Sequence, residues 1–345
     1  MKFDYVTGNP PFNTESVGAN ENDTPLYHYF YDAAFQISDK VELITPGRFL
    51  FNAGGTPKEW NEKMLNDIHF SVLYYEGDAS KVFAGKSING GIAIGYRDTT
   101  KVFEPIGIFT AFPELNNILL KINHKSSGSF ADIVTNRGLY KYSNLAYEEH
   151  PEEMKMTADK RIAPSAFERM PNMFTEEKPI DGKEYIHIFG NLNKQRVYRW
   201  LRKDYICPVS NLDKYKVFIS KADGAAGQIG KPIPARIIGK PIVMGPGIGC
   251  TETYITIGEV DSESEANSIA KYIMTKFART MIGVLKVTQN YAKPTWEKVP
   301  MQNFTSNSDI NWSASIYDID QQLYKKYGLS QQEIDFIESH VKEMA

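Results

Sequence analysis

Apolar and polar positions follow two textures along this chain. Through the first hundred residues, short apolar runs alternate with helical spacing. Residues 3–7 (FDYVT) form a short apolar run that stops at Gly-Asn-Pro-Pro, which predicts a buried strand running into a loop. Residues 25–37 (PLYHYFYDAAFQI) set Leu26, Phe30, Ala33, Ala34 and Ile37 at helical spacing, with Pro25 suited to a first turn after Thr24. Residues 41–45 predict a second strand, stopped by Pro46-Gly47, and residues 58–67 an amphipathic helix. Residues 70–75 and 91–96 are rich in strand formers. The order strand, helix, strand, helix, strand, strand predicts an α/β sheet ending in a hairpin.

A buried strand at the very start needs neighbours on both sides. The pattern therefore predicts one half of a doubly wound sheet, the other half lying on another chain or having been removed. From about residue 130 the texture changes. Strand patterns at 185–189, 215–219, 236–238 and 254–257 lie among Gly/Pro turns and basic residues. One long helix is predicted over 262–284, with Ile269, Ile273, Phe277 and Met281 at fourfold spacing. Helical patterns at 316–327 and 331–344 close the chain, separated by Gly328-Leu329-Ser330. The expected divisions are 1–130, 131–304 and a helical tail at 305–345.

Composition narrows the class. No apolar run approaches the roughly 18 residues of a membrane span, and the N-terminus does not have the pattern of a signal peptide. Cys207 and Cys250 make neither a disulfide framework nor a zinc cluster, and the six histidines show no ligand spacing, so no metal is expected. A reducing, cytoplasmic setting follows. The net charge of −3 hides an asymmetry: residues 183–240 hold 12 basic and 4 acidic residues. Such a surplus predicts a phosphate-binding footprint, the alternative being a solvated surface.

The residues that carry chemistry are Asn9, Pro10, Pro11 and Phe12, directly after the first predicted strand. An exocyclic amine on a base is a poor nucleophile, because its lone pair is delocalised into the ring. A side-chain amide oxygen and a backbone carbonyl can each accept one of its N–H bonds. Together they favour a more tetrahedral nitrogen with its lone pair aimed outward. Two prolines fix the backbone that presents the carbonyl, and the neighbouring ring stacks on the base. The base must leave its duplex to reach such a site. The alternative is a rigid turn and nothing more.

The segment resembles the catalytic half of γ-class N6-adenine DNA methyltransferases from restriction–modification systems, of the TaqI-like and type IIG kind. FDYVTGNPPF resembles their catalytic motif, PLYHYFYDAAFQI the helix after it, and VELITPGRFL the next strand and loop. FSVLYYEGDASKVFAG and INGGIAIGYRD resemble the last two core motifs. The resemblance implies a partial Rossmann-like, doubly wound methyltransferase sheet, followed by a mixed α+β DNA-recognition domain and C-terminal helices. It implies that Asn9 and Pro10 bind the adenine amine, that Phe12 stacks on the base, and that Tyr96 packs on its other side. KVFISKADGAAGQIGKPIPARIIGKPIVMGPGIG, the 262–284 helix and LKVTQNYAKPTWEKVP resemble the target-recognition region. Its candidate DNA contacts are Lys194, Arg196, Arg199, Arg202, Lys203, Lys221, Lys231 and Arg236.

The family uses S-adenosylmethionine, bound by a Gly-rich loop between a strand and a helix and upstream of the Asn-Pro-Pro motif. Residues 245–249 (GPGIG) lead into a strand pattern, and residues 224–230 (GAAGQIG) fail likewise. The expectation is a double-stranded-DNA adenine methyltransferase portion that needs a partner chain or homodimer to supply or cover the cofactor half. The alternatives are a DNA-specificity subunit without catalysis, or a protein-glutamine methyltransferase.

Overall fold

The computed structural model describes residues 2–14, 24–52, 55–85, 88, 90–126, 128–286 and 288–344. Asn89 and Val287, which fall in segments quoted above, lie outside these residues. The chain divides into two units, Met1–Leu120 and Lys121–Ala345.

In the first unit the strands are β1 (Val6–Gly8), β2 (Lys40–Pro46), β3 (Phe70–Glu76) and β4 (Ile92–Asp98), and the helices are α1 (Tyr27–Ile37) and α2 (Lys58–Asn66). Helix α3 (Pro113–Lys125) carries the boundary between the units. The sheet order is β1-β2-β4-β3. β1 runs parallel to β2, with Val6 opposite Val41 and Gly8 opposite Leu43. β4 runs antiparallel to both β2 and β3, so the carboxyl ends of β1, β2 and β3 share one edge.

One face of this sheet is packed. Val41, Leu43, Ala93 and Phe70 share a core with Tyr27 and Tyr31 of α1, Trp60 and Met64 of α2, and Phe49. The rings of Tyr31, Phe49, Trp60 and Phe70 meet at centroid distances of 5.3–6.3 Å. Each such pair adds about 0.5–1.5 kcal/mol beyond its burial. The opposite face, carrying Glu42, Ile44, Ile94 and Tyr96, is only half-buried.

The first strand was expected as a buried apolar run that pairs with 41–45 and leaves its other edge uncovered; Thr7 and Gly8 are exposed and Val6 is half-buried. Phe3 and Tyr5 before it are exposed, as are Tyr29 and Phe30 on α1. The reason lies in the strand order: β1 is an edge strand, and β2 is its only strand neighbour among the described residues.

The second unit holds two three-stranded sheets. One pairs β5 (Tyr185–Leu192) with β6 (Gln195–Arg202) and β9 (Ile248–Cys250); the other pairs β7 (Tyr215–Ser220) with β8 (Ile242–Met244) and β10 (Tyr254–Val260). The helices are α4 (Asn144–Glu149), α5 (Pro151–Met154), α6 (Ala166–Arg169), α7 (Glu263–Met274), α8 (Lys276–Leu285), α9 (Ile316–Tyr327) and α10 (Gln331–His340). Residues 305–345 belong to this unit. No helix among the described residues is long and apolar enough to cross a membrane.

Two sequence expectations are corrected here. Residues 236–238 are not a strand: Ile237 has φ 69°, which no strand tolerates. The long helix over 262–284 is two helices broken at Thr275, whose ψ is 147°. Periodicity runs through the break because both helices bury the same kind of face. The break is held by caps instead. Thr275 Oγ1 accepts from the Ala278 amide at 3.1 Å, and the Asp320 carboxylate accepts from the amides of Lys276 and Phe277, each at 2.9 Å. A partner 44 residues away along the chain cannot be seen in a local pattern.

Candidate active site at the carboxyl edge of the first sheet

Asn9-Pro10-Pro11-Phe12 leaves the carboxyl end of β1, the edge where open α/β sheets bind their ligands. Asn9 is exposed, and its amide has no partner among the described residues. The chain is fixed immediately afterwards. The Phe12 carbonyl accepts from the Leu26 amide at 2.9 Å, and Thr14 donates to Thr24 at 2.9 Å. Asn13 bridges to Pro25, so Pro25 lies in a short ladder just before α1 rather than in its first turn. Arg48, in the turn after β2, donates from Nη2 to Asn13 Oδ1 at 2.9 Å. Thus the residues behind the motif are held while Asn9 itself stays available.

The loop after β3 supplies the second wall. Asp78 accepts from the Ser80 amide at 3.1 Å and from its hydroxyl at 2.7 Å, nucleating a short turn over Ala79–Lys81. Phe83 donates its amide to the Ala79 carbonyl at 2.9 Å, which fixes where that residue leaves the turn. Its ring meets Phe12 edge-on, with centroids 6.2 Å apart and planes at 68°. Two half-buried phenylalanines therefore flank the carboxyl edge. Gly91, at φ 68°, allows this loop to return into β4, since a Cβ there would collide with the Glu76 carbonyl.

Tyr96 is placed elsewhere. It stands opposite Glu42, which stands opposite Thr7, and β2 lies between its strand and β1. The motif begins two residues beyond Thr7, about 7 Å further along the strand direction. The Tyr96 ring stacks on Tyr5 at 6.4 Å and its hydroxyl donates to Asp98 at 2.8 Å. That bond raises the Tyr96 pKa, while the Thr100 hydroxyl and Tyr96 hold Asp98 well below the usual carboxylate range. Tyr5 is pushed up to about 12, first by its hydrogen bond to Glu42. The Phe83 ring lies beside Phe12, a proximity the sequence does not give because the loop after β3 is placed only by the tertiary fold. Its available signal was an aromatic in a loop at the carboxyl edge.

The eight candidate DNA contacts divide. Lys194 and Arg196 are exposed at the tip of the β5–β6 hairpin, whose turn residues Asn193 and Lys194 have φ 51° and 63°. Lys231 is exposed as well. The other five are in ion pairs. Arg199 binds Glu176 at 2.6 Å, and Arg202 binds Asp204 at 2.6 Å and Glu149 at 2.8 Å. Their side chains are only 14% and 13% exposed. Lys203 pairs with Asp213 and Glu184, Lys221 with Glu252, and Arg236 with Asp223. Lys216, also counted in the basic window, is fully buried and donates to the carbonyls of Leu212, Lys214 and Gly245. Burial lowers its pKa to about 8. Much of the surplus in 183–240 is thus neutralised inside the fold.

The first unit is an α/β unit whose motif leaves a strand at the carboxyl edge of the sheet, with a second aromatic ring beside Phe12. Residues 1–83 match the model of the Eco57I restriction-modification methylase family. No curated protein matches the chain. Among solved structures, the chain is similar to the type IIG restriction endonuclease BpuSI at 8% identity and a TM-score of 0.32. The likeness covers 93% of this chain and 50% of that one, so the chain spans half the length of that structure.

Proposed function

We propose that this chain is the adenine-presenting portion of an N6-adenine DNA methyltransferase of a restriction–modification system. The observation that carries the reading is the placement of Asn9-Pro10-Pro11-Phe12 at the carboxyl end of β1, with the Phe83 ring across from Phe12. The family match over residues 1–83 supports it. A flipped adenine would give its amine N–H bonds to the Asn9 side-chain oxygen and the Pro10 carbonyl, which accepts no backbone bond among the described residues. Phe12 would stack on the base, and Phe83, rather than Tyr96, would close the other side. No residue titrates in this step; hydrogen bonds and position do the chemistry.

Such enzymes draw the methyl group from S-adenosylmethionine. The described residues of this chain do not fit that cofactor. Residues 245–249 run from the end of β8 into β9, which lie in different sheets, and residues 224–226 form a single 3-10 turn. No glycine-rich loop among the described residues leads from a strand into an α-helix. The exposed edge of β1, the aromatics beside it and the half-covered sheet face support a further segment or partner chain that completes the unit. The reading places the protein in the cytoplasm, with DNA.

The test is methyl transfer from labelled S-adenosylmethionine to duplex DNA and to protein, with and without a candidate cofactor-binding partner, alongside calorimetry of the chain with the cofactor alone. N6-methyladenine that requires the partner is expected. DNA binding without transfer in any combination would assign a specificity subunit, and methylated glutamine with unmodified DNA would assign a protein methyltransferase.

A further inference from the structure

We propose that the second unit carries a phosphate seat of its own, outside the 183–240 window apart from Lys221, which grips the sugar–phosphate backbone of nucleic acid. This rests on the reading that the chain acts on DNA.

The seat is a cavity of about 450 Å³ whose charged lining is wholly basic: Arg137, Arg161, Lys221 and Lys293. Asn136 and Asn290 add amide donors to the same wall. It shares Asn136, Arg137, Arg161 and Lys293 with an adjoining cleft of about 730 Å³, where Ile269, Met301 and Phe304 give an apolar lining and Asp132 and Glu259 add two carboxylates. A phosphate bound at the shared wall can therefore continue into a sugar and base next door. A small free anion would use only the basic part.

Four separate chain segments bring these cations together, so no sequence window shows them. Their frame is rigid. Lys221 directly follows β7 and has its amide on the Thr253 carbonyl, while its own carbonyl accepts from the Tyr291 amide, each at 2.9 Å. Arg161 lies across Gly138, whose φ is 69° and whose missing Cβ leaves room for the arginine side chain. Asp159 holds that guanidinium through Nε at 2.9 Å and 3.0 Å.

Behind the wall, one carboxylate oxygen already takes the position an anion would want. Oε1 of Glu252 meets Arg161 Nη1 at 2.8 Å, Arg137 Nε at 3.4 Å and Lys221 Nζ at 3.8 Å. Glu252 is 12% exposed and does not line the cavity, while Arg137 is 63% exposed and does. Lys293 has no carboxylate partner among the described residues. Glu252 orients the cations without satisfying them all: Asp159 and Glu252 both bind Arg161, Arg137 and Lys221 share only Glu252 among the described residues, and the planar guanidinium of Arg137 keeps donors for a phosphate oxygen.

The experiment measures binding of a fluorescent 30-base-pair duplex by the whole chain, without cofactor, across about 50–200 mM salt. Replacing Arg137→Ala together with Lys293→Ala is expected to weaken binding about tenfold and to flatten the salt dependence by about one to two released ions. Glu252→Gln removes the internal competitor and is expected to tighten binding several-fold at low salt, an effect that damage to the fold cannot mimic. An unchanged salt slope in the double variant overturns the seat while leaving DNA action intact. Inorganic pyrophosphate is the second probe. Pyrophosphate binding that depends on Arg137 and Lys293, in a chain that does not bind DNA, overturns the nucleic-acid source of the seat, while the methyltransferase reading is decided separately by the transfer assay with the partner present.

Discussion

The two units present their charged and reactive groups in opposite ways. In the first, Asn9 follows the end of a strand with its amide unpartnered among the described residues, and the neighbours that fix it, Asn13 and Arg48, bond behind it. In the second, most of the basic residues that stand out in the sequence are already bonded: Arg202 to Glu149 and Asp204, Lys216 to three carbonyls, Arg236 to Asp223. The difference teaches that a reactive motif is legible when its geometry is local, whereas a basic footprint is legible only after pairing is known. A charge count weights every lysine and arginine equally. Surface pairing, burial and convergence then decide which of them can meet a phosphate.

The largest effect expected from this comparison is at Asn9. Asn9→Ala should reduce methyl transfer to DNA by about 100- to 1000-fold, because one of two acceptors for the base amine is lost. DNA affinity measured by anisotropy should change by less than about threefold. An equal loss of affinity and rate would move Asn9 from the chemistry to binding. Next comes the aromatic opposite Phe12. Phe83→Ala should lower kcat/KM by about 10- to 100-fold, the scale of one lost base stack. Tyr96→Ala should lower kcat/KM less than Phe83→Ala, since the Tyr96 ring stacks on Tyr5 and its hydroxyl serves Asp98. The reverse ranking would restore Tyr96 as the stacking residue.

A third test probes the interior of the second unit. Burial raises Asp320 to about 7, despite the two amides it caps. A carboxyl raised above its unfolded pKa of about 3.9 binds its proton more tightly in the folded state. Its stabilising contribution is therefore complete below about pH 4 and is lost as pH rises towards 7. Urea unfolding should show wild-type stability falling by at most about 1.4 kcal/mol per pH unit relative to Asp320→Asn across that window. Parallel pH profiles for the two proteins would show that the cap is not responsible.

The smallest effect is at the paired arginines. Arg199→Ala with Arg202→Ala should leave the salt dependence of DNA binding unchanged, because both guanidinium groups are already bound by carboxylates. A flatter salt slope would put these side chains on DNA after all and would weaken the contrast between the units.

Local chemistry was readable without coordinates. Two prolines after an apolar run dictate a stiff exit from a strand, and that is where the motif stands. The parallel pairing of β1 with β2 follows from apolar runs separated by a helix, and Val6 faces Val41 as that order requires. Helices α2 and α9 begin where the spacing begins. Tertiary structure alone decided the rest. It set β1 at an exposed edge, because burial depends on neighbours and not on a strand's own residues. It put Phe83 rather than Tyr96 beside Phe12, because the loop after β3 is placed only by the tertiary fold. It cut one periodic segment into α7 and α8, because Asp320 reaches the break from another part of the chain. It also brought together residues 137, 161, 221 and 293, which no single window of sequence contains, because electrostatics acts through space and sequence distance does not measure it.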